Sequence, residues 1–141
     1  ELSATGKYTV DAETLAKIQQ SFAAGYADDA DGAAEIKARF DGDHYLCDTH
    51  TAVAFRVAET RRTDAPMVVL STASPFKFCA SVLDALGCRG HRNGTAIIGQ
   101  LAEMSGRPAP APLAGLAGKQ VRFGEVVDKG AMRAVVTEFL Q

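Results

Sequence analysis

The feature that most constrains this chain is a junction. The apolar run Met67-Val-Val-Leu-Ser71 passes within three residues into Ser74-Pro75. A run rich in β-branched residues with no polar face reads as a buried strand, and parallel strands covered on both sides have this pattern. Serine followed by proline supplies an N-cap and a pre-set first helical φ. Phe78, Val82 and Leu86 then recur every four residues until Gly87. Strand, tight turn and helix in this order restrict the chain to architectures that bury a strand under helices.

The flanking pattern is mostly helical. Leu15, Ile18 and Phe22 follow the N-cap candidate Asp11, and Gly25 closes the stretch. The acidic run 28–31 suits the positive end of a helix that carries Ile36 and Phe40 inward. A third helix opens after Asp48, with Val53 and Val57 on one face, and turns polar over 59–62. A fifth begins near Asn93, carries Ile97, Leu101 and Met104, and stops at Gly106. Residues 108–112 alternate proline with alanine and predict an extended connector, and Val121 and Phe123 alternate like a short strand. After Asp128, Met132, Val135, Val136 and Phe139 fall at i, i+3, i+4 and i+7. The fold class expected is α/β, helix-rich with a small parallel sheet. Two strands make a poor core alone, so helices pack on each other or missing chain completes the sheet.

At 141 residues the chain is a single domain, or one fragment of a larger one, over 1–141, and its start at Glu1 rather than Met favours the fragment. A net charge of −2 gives no case for nucleic acid or an anionic membrane. The longest uncharged stretches, 66–76 and 108–118, are too short to span a bilayer. No basic-then-apolar start of the signal-peptide kind is present, so reduced thiols in a cytoplasmic protein are the expectation.

The three cysteines cannot all pair within one chain. Cys47-Asp-Thr-His50 and Cys88-Arg-Gly-His91 are both C-x-x-H, and four such ligands suit a tetrahedral zinc site. The 37 residues between the halves exceed the spacing of about 12 to 20 found in compact zinc modules. Coincidence is the preferred reading, with no metal. A non-catalytic binding module holding zinc through Cys47, His50, Cys88 and His91 is the alternative.

Two stretches can carry chemistry. In open α/β folds ligands gather where a strand ends and the next helix begins, which points to Ser71, Thr72 and Ala73. The segment from Cys47 to Val53 places His50 and Thr51 in the first turn of a helix capped by Asp48. On residue types alone, ordinary caps are the preferred reading of both.

Together, Asp48-Thr-His-Thr-Ala-Val53 and Leu70-Ser-Thr-Ala-Ser-Pro-Phe-Lys-Phe78 resemble the paired motifs D-P-H-T-A-V and L-S-T-A-H-P-A-K-F of the threonine synthase family. Gly6-Lys-Tyr with Phe22-Ala-Ala-Gly25, and Pro110-x-Pro112-Leu113-x-x-Leu116, resemble the flanking segments. The resemblance covers most of the chain. It implies the C-terminal part of the large domain of a fold type II pyridoxal-phosphate enzyme. That enzyme converts O-phospho-L-homoserine and water to L-threonine and phosphate, with pyridoxal 5'-phosphate as cofactor. The family's cofactor-binding lysine and phosphate-binding glycine loop lie upstream, so the resemblance implies no catalytic residue here and an inactive isolated chain. It assigns Thr72 to the pyridine nitrogen, with Ser71 and Ala73 lining the same turn and His50 and Thr51 at the site wall. A related β-eliminating enzyme of the same cofactor class is a further reading. The partners implied are the missing N-terminal part and a phosphorylated amino acid, with self-association of the isolated chain. The chain departs from the family motifs at Thr49, where they have proline, and at Ser74 and Phe76, where they have histidine and alanine.

Overall fold

The computed structural model describes residues 2–141. Its order is α1 Leu2–Thr5, α2 Ala12–Gln19, α3 Asp29–Asp43, α4 Thr49–Thr60, α5 Cys79–Ala85, α6 Ala96–Ser105, α7 Ala111–Ala114 and α8 Met132–Phe139. Single 3₁₀ turns occupy Pro75–Lys77, Gly115–Gly118 and Lys129–Ala131.

The helices begin where aspartates cap them. Asp11, Asp28 and Asp48 each accept a backbone N–H in the first turn of α2, α3 and α4. α3 ends at His44, whose φ of 52° is left-handed, and the Arg107 guanidinium donates to the His44 carbonyl there. Gly87 and Gly106 terminate α5 and α6 with φ of +83° and +65°, the backbone that glycine adopts most readily.

α3 and α4 form the main packed pair. Ile36, Leu46, Cys47 and Ala52 join Phe76, Cys79, Val82, Leu83 and Leu101 in one core. Burying each large aliphatic side chain contributes about 1.5–3 kcal/mol. Polar contacts lock the same pair. Arg39 donates to Glu35 at 2.6 Å, to Asp43 at 3.0 Å and across to Glu59 of α4 at 3.1 Å. Its guanidinium lies 4.8 Å from the Phe55 ring centroid. Arg56 of α4 pairs with Asp31 of α3 at 3.1 Å.

The structure corrects the expected small parallel sheet: neither 67–71 nor 121–123 forms a strand among the described residues. A strand exists by hydrogen bonding to a neighbour, and neither run has one among the described residues. The first keeps strand-like alternation. Val69 faces a cleft shared with Phe55 and Ala58, while Val68 and Leu70 are 79% and 74% exposed.

Two helical expectations also change. The helix drawn from Pro75 splits into a 3₁₀ turn and α5. Phe76 and Cys79 are both buried, and a threefold turn eclipses i with i+3, aligning them on the core. The connector 108–112 ends in the short helix α7, because Pro112 lies in its first turn, where no N–H is required.

Candidate functional site at the start of α4

The site is built from the start of α4 and the turn 71–74. Asp48 is fully buried. Its Oδ1 accepts the His50 N–H at 2.9 Å and the Thr51 N–H at 3.3 Å, while Oδ2 accepts the Thr51 hydroxyl. Burial pushes this carboxyl up, but those hydrogen bonds outweigh it and hold Asp48 below its ordinary value. The neighbouring Cys47 thiol is pushed up to about 11 by burial and by the Asp48 charge. It is therefore an inert core thiol rather than a nucleophile.

Thr51 spans two elements. Its Oγ1 lies 3.3 Å from Ser71 Oγ, which ties α4 to the turn 20 positions later. Thr72 is exposed and its hydroxyl makes no hydrogen bond among the described residues, whereas Ala73 is half-buried. Ser74 accepts the Phe76 N–H at 3.3 Å, so it caps the 3₁₀ turn as its position predicts. The exposed His50 ring packs 4.9 Å from Phe78, and its Nδ1 is 3.3 Å from Asp48 Oδ1. Beside it opens a cleft of about 550 Å³ lined by Asp28, Ile36, Thr49, His50, Val53 and Asp84. Lys77 is exposed, as a surface lysine should be.

Ser71, Thr51 and His50 thus gather at one place, and Thr72 adjoins them. Asp48 has a larger part than a helix cap. The spacing Asp-x-x-Thr carries that signal, because a hydroxyl three residues after a capping carboxylate can reach back to it.

The zinc alternative is corrected. Among the described residues no three His, Cys, Asp or Glu groups could together hold a metal ion. His91 pairs instead with Asp84 at 3.0 Å, and Cys88 accepts from Gln100 Nε2 at 3.4 Å.

A hydroxyl-bearing turn tied to a capped helix start is what this helical layer presents, and comparison with known proteins gives the family. The family model "Threonine synthase, C-terminal" matches residues 51–136, and the chain belongs to that family. It is 39% identical over 72 residues to threonine synthase of Methylobacillus glycogenes, covering 50% of this chain and 15% of that protein. Against threonine synthase of Schizosaccharomyces pombe it is 32% identical over 91 residues, covering 61% of this chain and 18% of that protein. Mouse threonine synthase-like 1 is 34% identical over 74 residues, 52% of this chain and 10% of that protein. The crystal structure of PLP-bound threonine synthase from Brucella melitensis superimposes with a TM-score of 0.73 at 28% identity, covering 99% of this chain and 26% of that one. The chain therefore spans less than a fifth of the curated relatives' length.

Proposed function

We propose that this chain is the C-terminal region of a pyridoxal-phosphate-dependent threonine synthase that turns O-phospho-L-homoserine and water into L-threonine and phosphate. Its part in that reaction is to present the turn 71–74 to the cofactor ring. The observation that carries this reading is the Thr72 hydroxyl, exposed on a turn that Thr51 ties to α4, with no hydrogen bond of its own among the described residues. The donor chemistry fits: a neutral hydroxyl donates to an unprotonated pyridine nitrogen, whereas a carboxylate in its place would hold that nitrogen protonated. When bound, the cofactor supplies the electron sink for the substrate. Ser71 and Ala73 line the same turn, and His50 and Thr51 brace its wall. All three cysteines are free, which supports a reducing compartment such as the cytoplasm.

Thr72→Ala in the full-length protein tests the reading. The expected result is a shifted cofactor absorbance band and phosphate release slowed about tenfold, the worth of one site hydrogen bond. An unchanged band and rate would return the turn to an ordinary helix cap. None of the six lysines, Lys7, Lys17, Lys37, Lys77, Lys119 and Lys129, has the family's cofactor-lysine setting. The purified 141-residue chain should accordingly release no phosphate from O-phosphohomoserine.

A further inference from the structure

We propose that Asp48, acting through Thr51, fixes the direction of the Ser71 hydroxyl and so leaves Thr72 as the turn's hydrogen-bond donor, making Asp48 a positioning residue for the site. The inference rests on the cofactor reading of Thr72 for its purpose, but its geometry stands apart from it.

A threonine hydroxyl carries one proton and two acceptor lone pairs. The Thr51 proton is committed to the buried carboxylate of Asp48, whose other oxygen is occupied by the His50 and Thr51 N–H groups. Toward Ser71 Oγ, 3.3 Å away, Thr51 Oγ1 can then only accept. The donor of that 3.3 Å contact is then Ser71, and while the contact is kept Ser71 offers an approaching ligand lone pairs alone. An unprotonated ring nitrogen needs a donor. Of the two adjacent hydroxyls on this exposed turn, only Thr72 keeps a proton free. A buried carboxylate thereby sets the polarity of a surface turn 23 positions along the chain. It touches neither cofactor nor substrate.

Asp48→Asn distinguishes this from simple capping. The carboxamide oxygen can still accept both N–H groups, but its NH₂ now donates to Thr51 Oγ1. Thr51 must turn its proton to Ser71, and the Ser71 proton swings outward. Removing Ser71 then costs more than before, because it strands a Thr51 proton in a buried place. In the cofactor-free full-length protein, Ser71→Ala should lower the unfolding temperature about 2–4 °C more in the D48N background than in the parent. The extra loss should vanish when Thr51→Val is added. Equal losses in both backgrounds would overturn the relay, whatever the cofactor spectrum does.

If D48N does not fold, Thr51→Ser and Thr51→Val decide the matter. Serine keeps the hydroxyl and valine keeps the volume. The relay predicts a parent-like cofactor band in T51S and a shifted one in T51V; the reverse order would mean packing alone and would overturn the proposal. A silent Thr72→Ala variant beside intact coupling in the cofactor-free protein would instead overturn the cofactor role.

Discussion

A buried carboxylate has to be held by something, and for Asp48 the holders are short-range dipoles rather than an opposite charge. Its nearest ionisable neighbours are the Cys47 thiol and the exposed His50 ring, and no lysine or arginine pairs with it among the described residues. Two backbone N–H groups, the Thr51 hydroxyl and the positive end of α4 take the load. They favour the ionised form, so the folded carboxyl lies below its unfolded value. The sign follows from linkage: this stabilisation is fully present above the ordinary carboxylate range and drains away as pH falls through the lowered folded value. Asp48→Ala strips the cap of α4 and the buried acceptor of the Thr51 hydroxyl, and should cost about 3 kcal/mol at neutral pH. Urea midpoints measured from neutral pH down to about pH 3 should show the gap between parent and D48A narrowing on acidification. A gap that stays constant across that range would mean the carboxylate charge has no part in it.

At the scale of elements, α4 is held from two directions. α3 grips it through Arg39, which reaches Glu59, and through Asp31, which pairs with Arg56, and the segment before α3 touches its far end. Arg61 donates to the Ala24 carbonyl at 3.0 Å, and a Cβ on Gly25 would come within 2.7 Å of Val57 Cγ1. Gly25→Ala should therefore destabilise by about 1–3 kcal/mol through overpacking, and Val57→Ala should recover part of that loss. Thermal unfolding of the two single variants and the double checks it. The sequence shows Gly25 only as the end of a helical pattern; its reason for being glycine is contact with a residue 32 positions away. The same division runs through the fold. The capping aspartates and the closing glycines Gly87 and Gly106 are local chemistry, and they are readable in the sequence. The break at Phe78 is not, because burying Phe76 and Cys79 together outweighs the four-residue repeat of Phe78, Val82 and Leu86. In the site, the motif residues are legible one by one, whereas the Thr51–Ser71 contact is tertiary.

The whole molecule combines one buried core with much uncovered apolar surface. Leu15, Ile18 and Phe22 of the N-terminal pattern are exposed, and so are Met132, Val136 and Phe139 of α8, where Phe123 meets Phe139 edge-on at 5.8 Å. The apolar periodicity read in the sequence is real, yet little among the described residues covers it. Surface of this kind drives association, so the isolated chain should sediment as concentration-dependent oligomers. The run 67–71 makes the sharper prediction. Its residues alternate inward and outward without a ladder partner among the described residues, and Val68 and Leu70 are largely exposed. Backbone amides without a partner exchange freely; amides in a central strand exchange only on substantial unfolding. If the chain is one part of a larger α/β domain, neighbouring strands from the rest of that domain pair with 67–71 on both edges. Hydrogen exchange should then be fast over these residues in the 141-residue chain and slowed at least a hundredfold, about 2.7 kcal/mol, in the full-length protein. Equal, fast exchange in both would mean that the run is a loop in the complete protein too. Its apolar alternation would then answer to the cleft beside Phe55 rather than to a sheet.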